Sequence, residues 1–190
     1  MNIGLYFGSF NPIHIGHLVI ANYALNLTSL EKVWFVVSPQ NPLKDQSKLL
    51  NATKRLVLAK KAISGDKRFL VSDVEFDLPK PSYTINTLYH LQKKHPEHDF
   101  SLIMGSDSYL SLHKWKNFKS IISEYKIFVY PRPDVRLRNR QGTNAEILNA
   151  PLLDISSTEI RDLIKSKKSI RYLVPERVRK EIEKNGYYKK

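Results

Sequence analysis

Two histidines near the N-terminus are spaced to act together on one ligand. They are His14 and His17 in GSFNPIHIGH, residues 8–17, and side chains three residues apart on a helix share a face. The residues before this segment alternate loosely as in a strand, and residues 15–27 have helical spacing. Both imidazoles thus lie at a predicted helix N-terminus, which favours an anion. A bare H-x-x-H is more often two surface histidines or a metal pair, but the glycine, the proline and the preceding strand favour phosphate binding here.

A second predicted helix start carries hydroxyls and an arginine. In ISSTEIR, residues 155–161, Ser156 followed by Glu159 is a capping box, which places the beginning of a helix here. Ser157 adds a hydroxyl, and Arg161 lies one helical turn further on. Taken alone the segment is a well-capped helix. Because it is also a second helix N-terminus suited to anions, we predict that a triphosphate lies between the two helix starts.

A third segment, MGSDSYLSLHKW at residues 104–115, combines a glycine, an acid and a large aromatic ring. Gly105 would allow close backbone approach, and Asp107 could accept hydrogen bonds from ribose or purine groups, although Ser106 or Asp107 would also serve as a helix cap. Trp115 offers a stacking face for a flat ring, with a core tryptophan as the alternative. The flanking lysines favour a partly exposed site.

Two loops could complete such a site. PQNPLK, residues 39–44, places Lys44 after a predicted strand, within reach of an acceptor phosphate. SYTINTL, residues 82–88, places Tyr83 and Thr84 at a helix start, where Thr84 would ordinarily be an N-cap. Each loop is a weak signal by itself.

The order of the predicted elements favours an α/β fold. Strands are predicted at residues 2–7, 32–37, 69–74, 100–104, 127–130 and 152–155. Helices are predicted at residues 15–27, 53–63, 84–94, 157–166 and 175–184. This alternation predicts a parallel sheet with helices on both faces, whose ligands bind at the carboxyl ends of the strands.

Length and composition exclude several classes of protein. The 190 residues predict one domain spanning 1–190, and the lack of cysteine excludes disulfide scaffolds, thiolate nucleophiles and cysteine zinc sites. The formal charge of +13 attracts polyanions without naming one, and the runs at 114–119, 132–140 and 165–168 are each read first as solvated surface. No signal peptide or apolar run of ~20 residues is evident, so a cytoplasmic protein without membrane partners is expected. P-loop, G-x-G-x-x-G and H-E-x-x-H motifs are absent.

These motifs together resemble the H-x-G-H nucleotidyltransferase superfamily. GSFNPIHIGH is similar to its first signature. ISSTEIR is similar to its second, in which a serine pair is followed, after two further residues, by Ile-Arg. PQNPLK, SYTINTL, MGSDS, Trp115 and VPERVRKEIEKNGYY follow in the order of bacterial nicotinate-nucleotide adenylyltransferase, so the resemblance covers essentially the whole chain. Asn11 stands where many members have aspartate, and Ser106 where many have a small apolar residue.

The resemblance implies a Rossmann-like, doubly wound parallel sheet with a small C-terminal helical portion, about 157–190, that completes the ATP site. It implies adenylyl transfer from ATP to nicotinate mononucleotide, giving deamido-NAD and pyrophosphate in NAD biosynthesis, with Mg²⁺ held mainly by the phosphates and no dedicated metal ligands. By matching position, the catalytic residues would be His14, His17 and Arg161. The ATP-binding residues would be Gly8, Ser9, Phe10, Gly105, Asp107, Ser156 and Ser157. The acceptor-binding residues would be Lys44, Tyr83, Thr84 and Trp115.

Three other interpretations are weighed. A sister enzyme would act on nicotinamide mononucleotide or phosphopantetheine, which the first signature does not separate; the ring of Trp115 and the SYT loop favour a pyridine nucleotide. A nucleic-acid-binding module would use the basic surface, but no aromatic–basic RNA motif is present, so no nucleic-acid partner is expected. A fragment of an aminoacyl-tRNA synthetase is disfavoured by length and by the lack of a K-M-S-K-S loop. A homo-oligomer is compatible with the sequence.

Overall fold

Parallel strands and helices alternate along the chain. The computed structural model describes residues 1–42, 47, 49–133 and 144–189. The strands are β1 (Asn2–Gly8), β2 (Lys32–Val37), β3 (Phe69–Ser72), β4 (Asp99–Gly105), β5 (Ile127–Tyr130) and β6 (Ala145–Ile147). The α-helices are α1 (Ile15–Leu27), α2 (Ala52–Ala62), α3 (Thr84–Lys94), α4 (Ser106–Ser111), α5 (Phe118–Glu124), α6 (Ser157–Lys165) and α7 (Glu176–Asn185). Short 3₁₀ helices cover Val74–Phe76 and Leu112–Lys114.

The six strands form one sheet in the order β3-β2-β1-β4-β5-β6, and every neighbouring pair is parallel. The direction of winding reverses between β1 and β4, where Asn2 pairs with Asp99 and Tyr6 with Ile103. In doubly wound sheets a crevice forms at the carboxyl ends of the strands at such a reversal. Gly8 and Gly105, which end these two strands, therefore mark the expected position of a site.

Apolar layers cover both faces of the sheet because alternate strand residues point to opposite sides. Tyr6 of β1 belongs to the first apolar layer, which contains buried residues of α1, α2, α6 and α7, whereas Ile3 and Leu5 belong to the second apolar layer, formed with α3, α4 and α5. The prediction of a parallel sheet with helices on both faces is thus confirmed. Within the described ranges, no helix combines the length and the apolar character that a membrane crossing requires.

One predicted strand is wrong. Residues 152–155 form no strand, and the sheet edge is instead the short β6, whose Ala145 pairs with Ile127. The apolar side chains of Leu153 and Ile155 pack partly against the first layer without joining the hydrogen-bonded ladder, and Leu152 is exposed. The predicted C-terminal helix is present, with Pro175 at its N-cap and Gly186 in a left-handed conformation at its end.

Candidate active site

A cavity of about 840 Å³ opens at the carboxyl ends of β1 and β4. This volume lies in the range of small-molecule sites. The cavity is lined by thirteen of the fourteen predicted site residues, which are Gly8, Ser9, Phe10, His14, His17, Tyr83, Thr84, Gly105, Asp107, Trp115, Ser156, Ser157 and Arg161. The fourteenth, Lys44, lies outside the described residues. These thirteen residues come from four separate segments of sequence, which therefore meet at one place.

His14 and His17 form a close pair at the start of α1. His14 is the N-cap residue, and its backbone N–H donates to Nδ1 of His17 over 3.2 Å. The two ring centroids are 3.7 Å apart. Because Nδ1 of His17 accepts this hydrogen bond, a neutral His17 carries its proton on Nε2. His17 is thereby set to donate a hydrogen bond from Nε2.

The environment of His14 keeps its imidazole neutral. The residue is 4% exposed, and burial, with a smaller contribution from the cation of Arg132, lowers the pKa of His14 to about 4. At neutral pH the ring is therefore a neutral donor and not a cation. Gly16 gives this ring its space, since a Cβ at Gly16 would lie 3.0 Å from Nδ1 of His14.

The beginning of α6 is joined directly to the loop that follows β1. Ser156 caps the helix by accepting the N–H of Glu159 over 3.1 Å, as the capping pattern predicts. The hydroxyl of Ser157 donates to the carbonyl of Pro12 over 2.9 Å, and Nη1 of Arg161 donates to the carbonyl of Asn11 over 2.9 Å. The two helix N-termini thus border the same cavity, and side chains of α6 tie it to the loop after β1.

The segment after β4 forms the opposite border of the cavity. The N-cap of α4 is Gly105 and no side chain caps the helix, so the alternative of a Ser106 or Asp107 cap is wrong. Asp107 is exposed and lies 3.5 Å from Nε of Arg132, while the Ser106 hydroxyl accepts the N–H of Arg132 over 3.0 Å. A Cβ at Gly105 would lie 2.6 Å from Oδ1 of Asp107, so this exposed carboxylate would have to move aside.

Aromatic and cationic side chains meet at the third border. Tyr83 is the N-cap of α3 and Thr84 is its first residue, so the alternative of a Thr84 cap is wrong. Nζ of Lys116 lies 4.6 Å above the ring of Tyr83. Trp115 is half-buried, packs against the second apolar layer and also lines the cavity. Trp115 is therefore neither wholly core nor wholly free, and part of its surface faces the cavity.

Arg55 was not predicted, although it holds three segments around the site. The residue is 1% exposed, and its guanidinium donates to carbonyl oxygens and to no carboxylate among the described residues. Nη1 reaches the carbonyls of Ser9 at 2.5 Å and Ser38 at 2.9 Å, while Nε reaches Leu50 at 2.7 Å and Nη2 reaches Pro39 at 3.1 Å. It lies among lysines in TKRLVLAKK, so nothing in the sequence separates it from a surface cation.

Two further charged residues were also missed. Glu75 is 1% exposed and accepts a hydrogen bond from the Thr87 hydroxyl over 2.9 Å. Burial raises the pKa of Glu75, while hydrogen bonds from the hydroxyls of Ser38, Thr87 and Ser82 lower it by a smaller amount. No sequence signal marks it. Arg132 follows Tyr130, the last residue of β5, so applying the strand-end rule to this strand would have found it. The other arginines of the basic stretch 132–140 lie outside the described residues.

Comparison with known proteins identifies the family of this chain. The family model described as cytidylyltransferase-like matches residues 5–163. A protein of Flavobacterium psychrophilum, named probable nicotinate-nucleotide adenylyltransferase, is 50% identical over 193 aligned residues that span both chains completely. A protein of the same name from Cytophaga hutchinsonii is 48% identical, over 99% of this chain and 98% of its own. The chain belongs to the nicotinate-nucleotide adenylyltransferases, within the cytidylyltransferase-like family.

Solved structures of nicotinic acid mononucleotide adenylyltransferase share this fold. The enzyme of Plasmodium falciparum complexed with NaAD superimposes with a TM-score of 0.85 over 98% of this chain and 97% of its own, at 21% identity. The same enzyme complexed with APC gives a TM-score of 0.82 at 20% identity, over 98% of this chain and 96% of its own. At these identities the likeness establishes the fold. The Rossmann-like α/β fold predicted for this family is thus confirmed.

Proposed function

We propose that this chain transfers the adenylyl group of ATP to the phosphate of nicotinate mononucleotide, releasing pyrophosphate and forming deamido-NAD. The observation that carries the proposal is the meeting of two helix N-termini, with His14, His17 and Arg161, at one cavity. The described lining carries four formal cations, Lys114, Lys116, Arg132 and Arg161, against a single carboxylate. Such a wall suits two phosphorylated substrates. The names of the relatives support the choice of acceptor.

The reaction needs positioning and charge stabilisation more than a strong base. The phosphate of the acceptor has a second pKa near ~6, so it is largely a dianion at neutral pH. One of its oxygens forms a bond to the α-phosphorus of ATP, and the bond from that phosphorus to the pyrophosphate oxygen breaks. His14, His17 and Arg161 are proposed to donate to the phosphate oxygens as charge moves onto the leaving pyrophosphate. Neutral His14 does this without binding an extra proton.

The donor set of the cavity fits a divalent ion that is carried by the substrate. Nucleotidyltransferases of this kind typically use a divalent metal with ATP, and we propose Mg²⁺. Among the described lining residues Asp107 is the one carboxylate, and it lies beside Arg132. Mg²⁺ binds through few protein carboxylates and several phosphate oxygens, so Asp107 is the residue that could add a ligand. When bound, the ion neutralises charge on the polyphosphate.

The acceptor is proposed to bind between α3 and the segment after β4. Trp115 offers a partly exposed ring for stacking on the pyridine, and Tyr83 and Thr84 line the same end of the cavity. Lys116, above the Tyr83 ring, adds positive charge there. Lys44 remains proposed as a group for the acceptor phosphate. This arrangement favours a flat, anionic acceptor over phosphopantetheine, which has no ring to stack.

A panel of acceptors tests the proposal. The purified chain is incubated with ATP and Mg²⁺ and, in turn, nicotinate mononucleotide, nicotinamide mononucleotide or phosphopantetheine, and the products are identified by mass. We expect deamido-NAD with one pyrophosphate per product and the highest kcat/KM for nicotinate mononucleotide. A higher kcat/KM for either other acceptor would reassign the substrate. Salt-sensitive retention on DNA or RNA with no pyrophosphate release would favour a nucleic-acid-binding module instead.

A further inference from the structure

The turn between α3 and β4 brings two imidazoles and a carboxylate together. Nδ1 of His95 lies 3.5 Å from Oε1 of Glu97, and Nε2 of His98 lies 3.4 Å from the same oxygen. All three ligand atoms lie within 4.8 Å of one another. In the parts of the chain that the structure describes, no other group of three such side chains comes as close. The cluster precedes Asp99, the first residue of β4, whereas the cavity lies at the other end of that strand.

We propose that His95, Glu97 and His98 bind one divalent transition-metal ion, with Zn²⁺ as the reference case. Zinc binds imidazole nitrogen and carboxylate oxygen at about 2.0–2.2 Å in tetrahedral sites, which separates neighbouring ligand atoms by about 3.3 Å. The two nitrogen–oxygen distances of 3.5 and 3.4 Å already match this separation. The rings now lie parallel with centroids 5.6 Å apart. Binding therefore requires a rotation of His95, whose side chain is 30% exposed.

The backbone of the turn is fixed before any ion binds. The N–H of His95 donates to Leu91 over 2.8 Å, and the N–H of His98 donates to His95 over 3.1 Å. The chain N-terminus donates to the carbonyl of Glu97 over 3.2 Å. Since the ligands lie within four consecutive residues of a hydrogen-bonded turn, little backbone entropy is lost on binding.

The ring of Trp34 supports both imidazoles. Its ring meets His95 edge-on at 5.5 Å and His98 at 6.1 Å between centroids. The side chain of His98 is 11% exposed, and its Nδ1 is buried with no hydrogen-bond partner, so Nε2, beside Glu97, is the nitrogen available to a ligand. Glu97 is 59% exposed, which leaves coordination positions for water. Because Trp34 contacts both imidazoles, its fluorescence can report the binding of an ion at this position.

The donor set selects the class of ion. Two imidazoles and one carboxylate suit zinc, nickel and copper, whereas Mg²⁺ and Ca²⁺ prefer oxygen ligands alone. The chain has no cysteine, so no thiolate competes for such an ion. Along β4, Asp99 beside the cluster and Leu102 at the cavity are roughly 10 Å apart, so binding should stabilise the turn without entering the proposed reaction. An ion here would link the end of α3 to the start of β4.

The test is a ZnCl₂ titration of untagged, chelator-treated full-length protein by calorimetry. We expect one ion per chain with a dissociation constant in the micromolar range and a rise in Tm on addition of Zn²⁺. His95→Ala and Glu97→Gln change partly exposed side chains and should weaken binding at least tenfold, as should His98→Ala if it folds. His90→Ala, at an exposed histidine of α3 before the turn, should bind as the parent does.

A second readout locates the ion. In Trp115→Phe the remaining tryptophan is Trp34, since the chain has two. Cu²⁺ should quench its fluorescence with one-to-one stoichiometry, and His95→Ala in this background should abolish the quenching. Unchanged affinity in both His95→Ala and Glu97→Gln, or binding that is lost in His17→Ala instead, would overturn the proposal. Neither result bears on adenylyl transfer.

Discussion

Single residues decide how the cavity can meet a phosphate. His14 is buried at a helix N-terminus with a lowered pKa, and its backbone N–H fixes the tautomer of His17. His14 then offers an N–H group at neutral pH without a change of protonation state. Arg161 supplies a permanent charge and is held by the carbonyl of Asn11. Donors placed in advance of the reaction cost little reorganisation in the transition state.

His17→Ala tests the donor role of this pair. Loss of one preorganised transition-state donor typically lowers kcat by about a hundredfold or more. We expect this loss in steady-state kinetics with ATP and nicotinate mononucleotide, while circular dichroism stays that of the parent. His113→Ala, an exposed histidine outside the cavity lining, is the matched control and should keep full turnover. Near-normal turnover in folded His17→Ala would remove His17 from the mechanism.

Trp115→Ala tests the stacking role. Stacking on an aromatic side chain contributes about 1–3 kcal/mol per base, so KM for nicotinate mononucleotide should rise about fivefold to a hundredfold. KM for ATP should change little, and Trp115→Phe should recover most of the loss. Tyr172→Ala, at an exposed aromatic residue, is the control. Equal losses for both substrates would instead indicate that Trp115 acts as part of the core.

The lowered pKa of His14 predicts a dependence of stability on pH. In the unfolded chain the ring binds a proton below its ordinary pKa of 6.5, whereas in the folded protein it does so only near pH 4. Between these values protons favour the unfolded state, so stability falls with falling pH. From pH 7.5 to pH 5 the loss due to this group is about 2 kcal/mol. Urea unfolding of the parent and of His14→Gln at both pH values measures it, and an equal loss in the two proteins would refute it.

At the scale of elements, α2 carries Arg55, whose hydrogen bonds hold the loops around the site in place. Arg55 binds carbonyls of the loop after β1, the loop after β2 and the segment just before α2 with one buried guanidinium. Among the described residues, no other cation donates a hydrogen bond to the carbonyls that Arg55 binds. Removing the guanidinium would leave several buried acceptors unpaired, each at a cost of about 1–3 kcal/mol. The hydrogen bonds of Arg55 therefore tie local stability to the shape of the loop after β1.

Arg55→Met should accordingly destabilise the fold by about 3–5 kcal/mol, because several buried carbonyls each lose their donor at a cost of about 1–3 kcal/mol. The free energy of unfolding in urea is the measurement. Arg68→Met removes an exposed arginine paired with Asp66, which should change stability by less than about 1 kcal/mol. A loss of stability in Arg55→Met no larger than in Arg68→Met would show that the hydrogen bonds of Arg55 contribute little to stability.

The elements also show what the sequence could and could not reveal. Gly8, Gly105 and Ser156 were predictable because strand ends, close approaches and helix caps leave local signals in the chain. Arg55 and Glu75 were not, because burial of a charge depends on distant segments that leave no local pattern. β6 was missed because three residues at a sheet edge are too few to show a polar–apolar alternation. Residues 152–155 were mistaken for a strand because Leu153 and Ile155 are apolar, but these side chains pack against the first apolar layer and the segment pairs with no strand.

At the scale of the whole molecule, the two ends of the sheet differ in chemistry. The cavity and its cations lie at the carboxyl ends of β1 and β4, whereas the cluster of His95, Glu97 and His98 lies at their amino ends. The formal charge of +13 was predicted to attract anions, and four of its cations line the described cavity. Many of the other described lysines and arginines are exposed, where they can steer substrates by a long-range field that salt screens.

The central claim is that the polyphosphate of ATP lies between the starts of α1 and α6. A crystal structure of the chain with a non-hydrolysable ATP analogue and Mg²⁺ measures this directly. The account predicts phosphate oxygens within hydrogen-bond distance of His14, His17 and Arg161, with the adenosine beside Gly105 and Asp107. An analogue bound elsewhere, or phosphates that contact neither histidine, would contradict it.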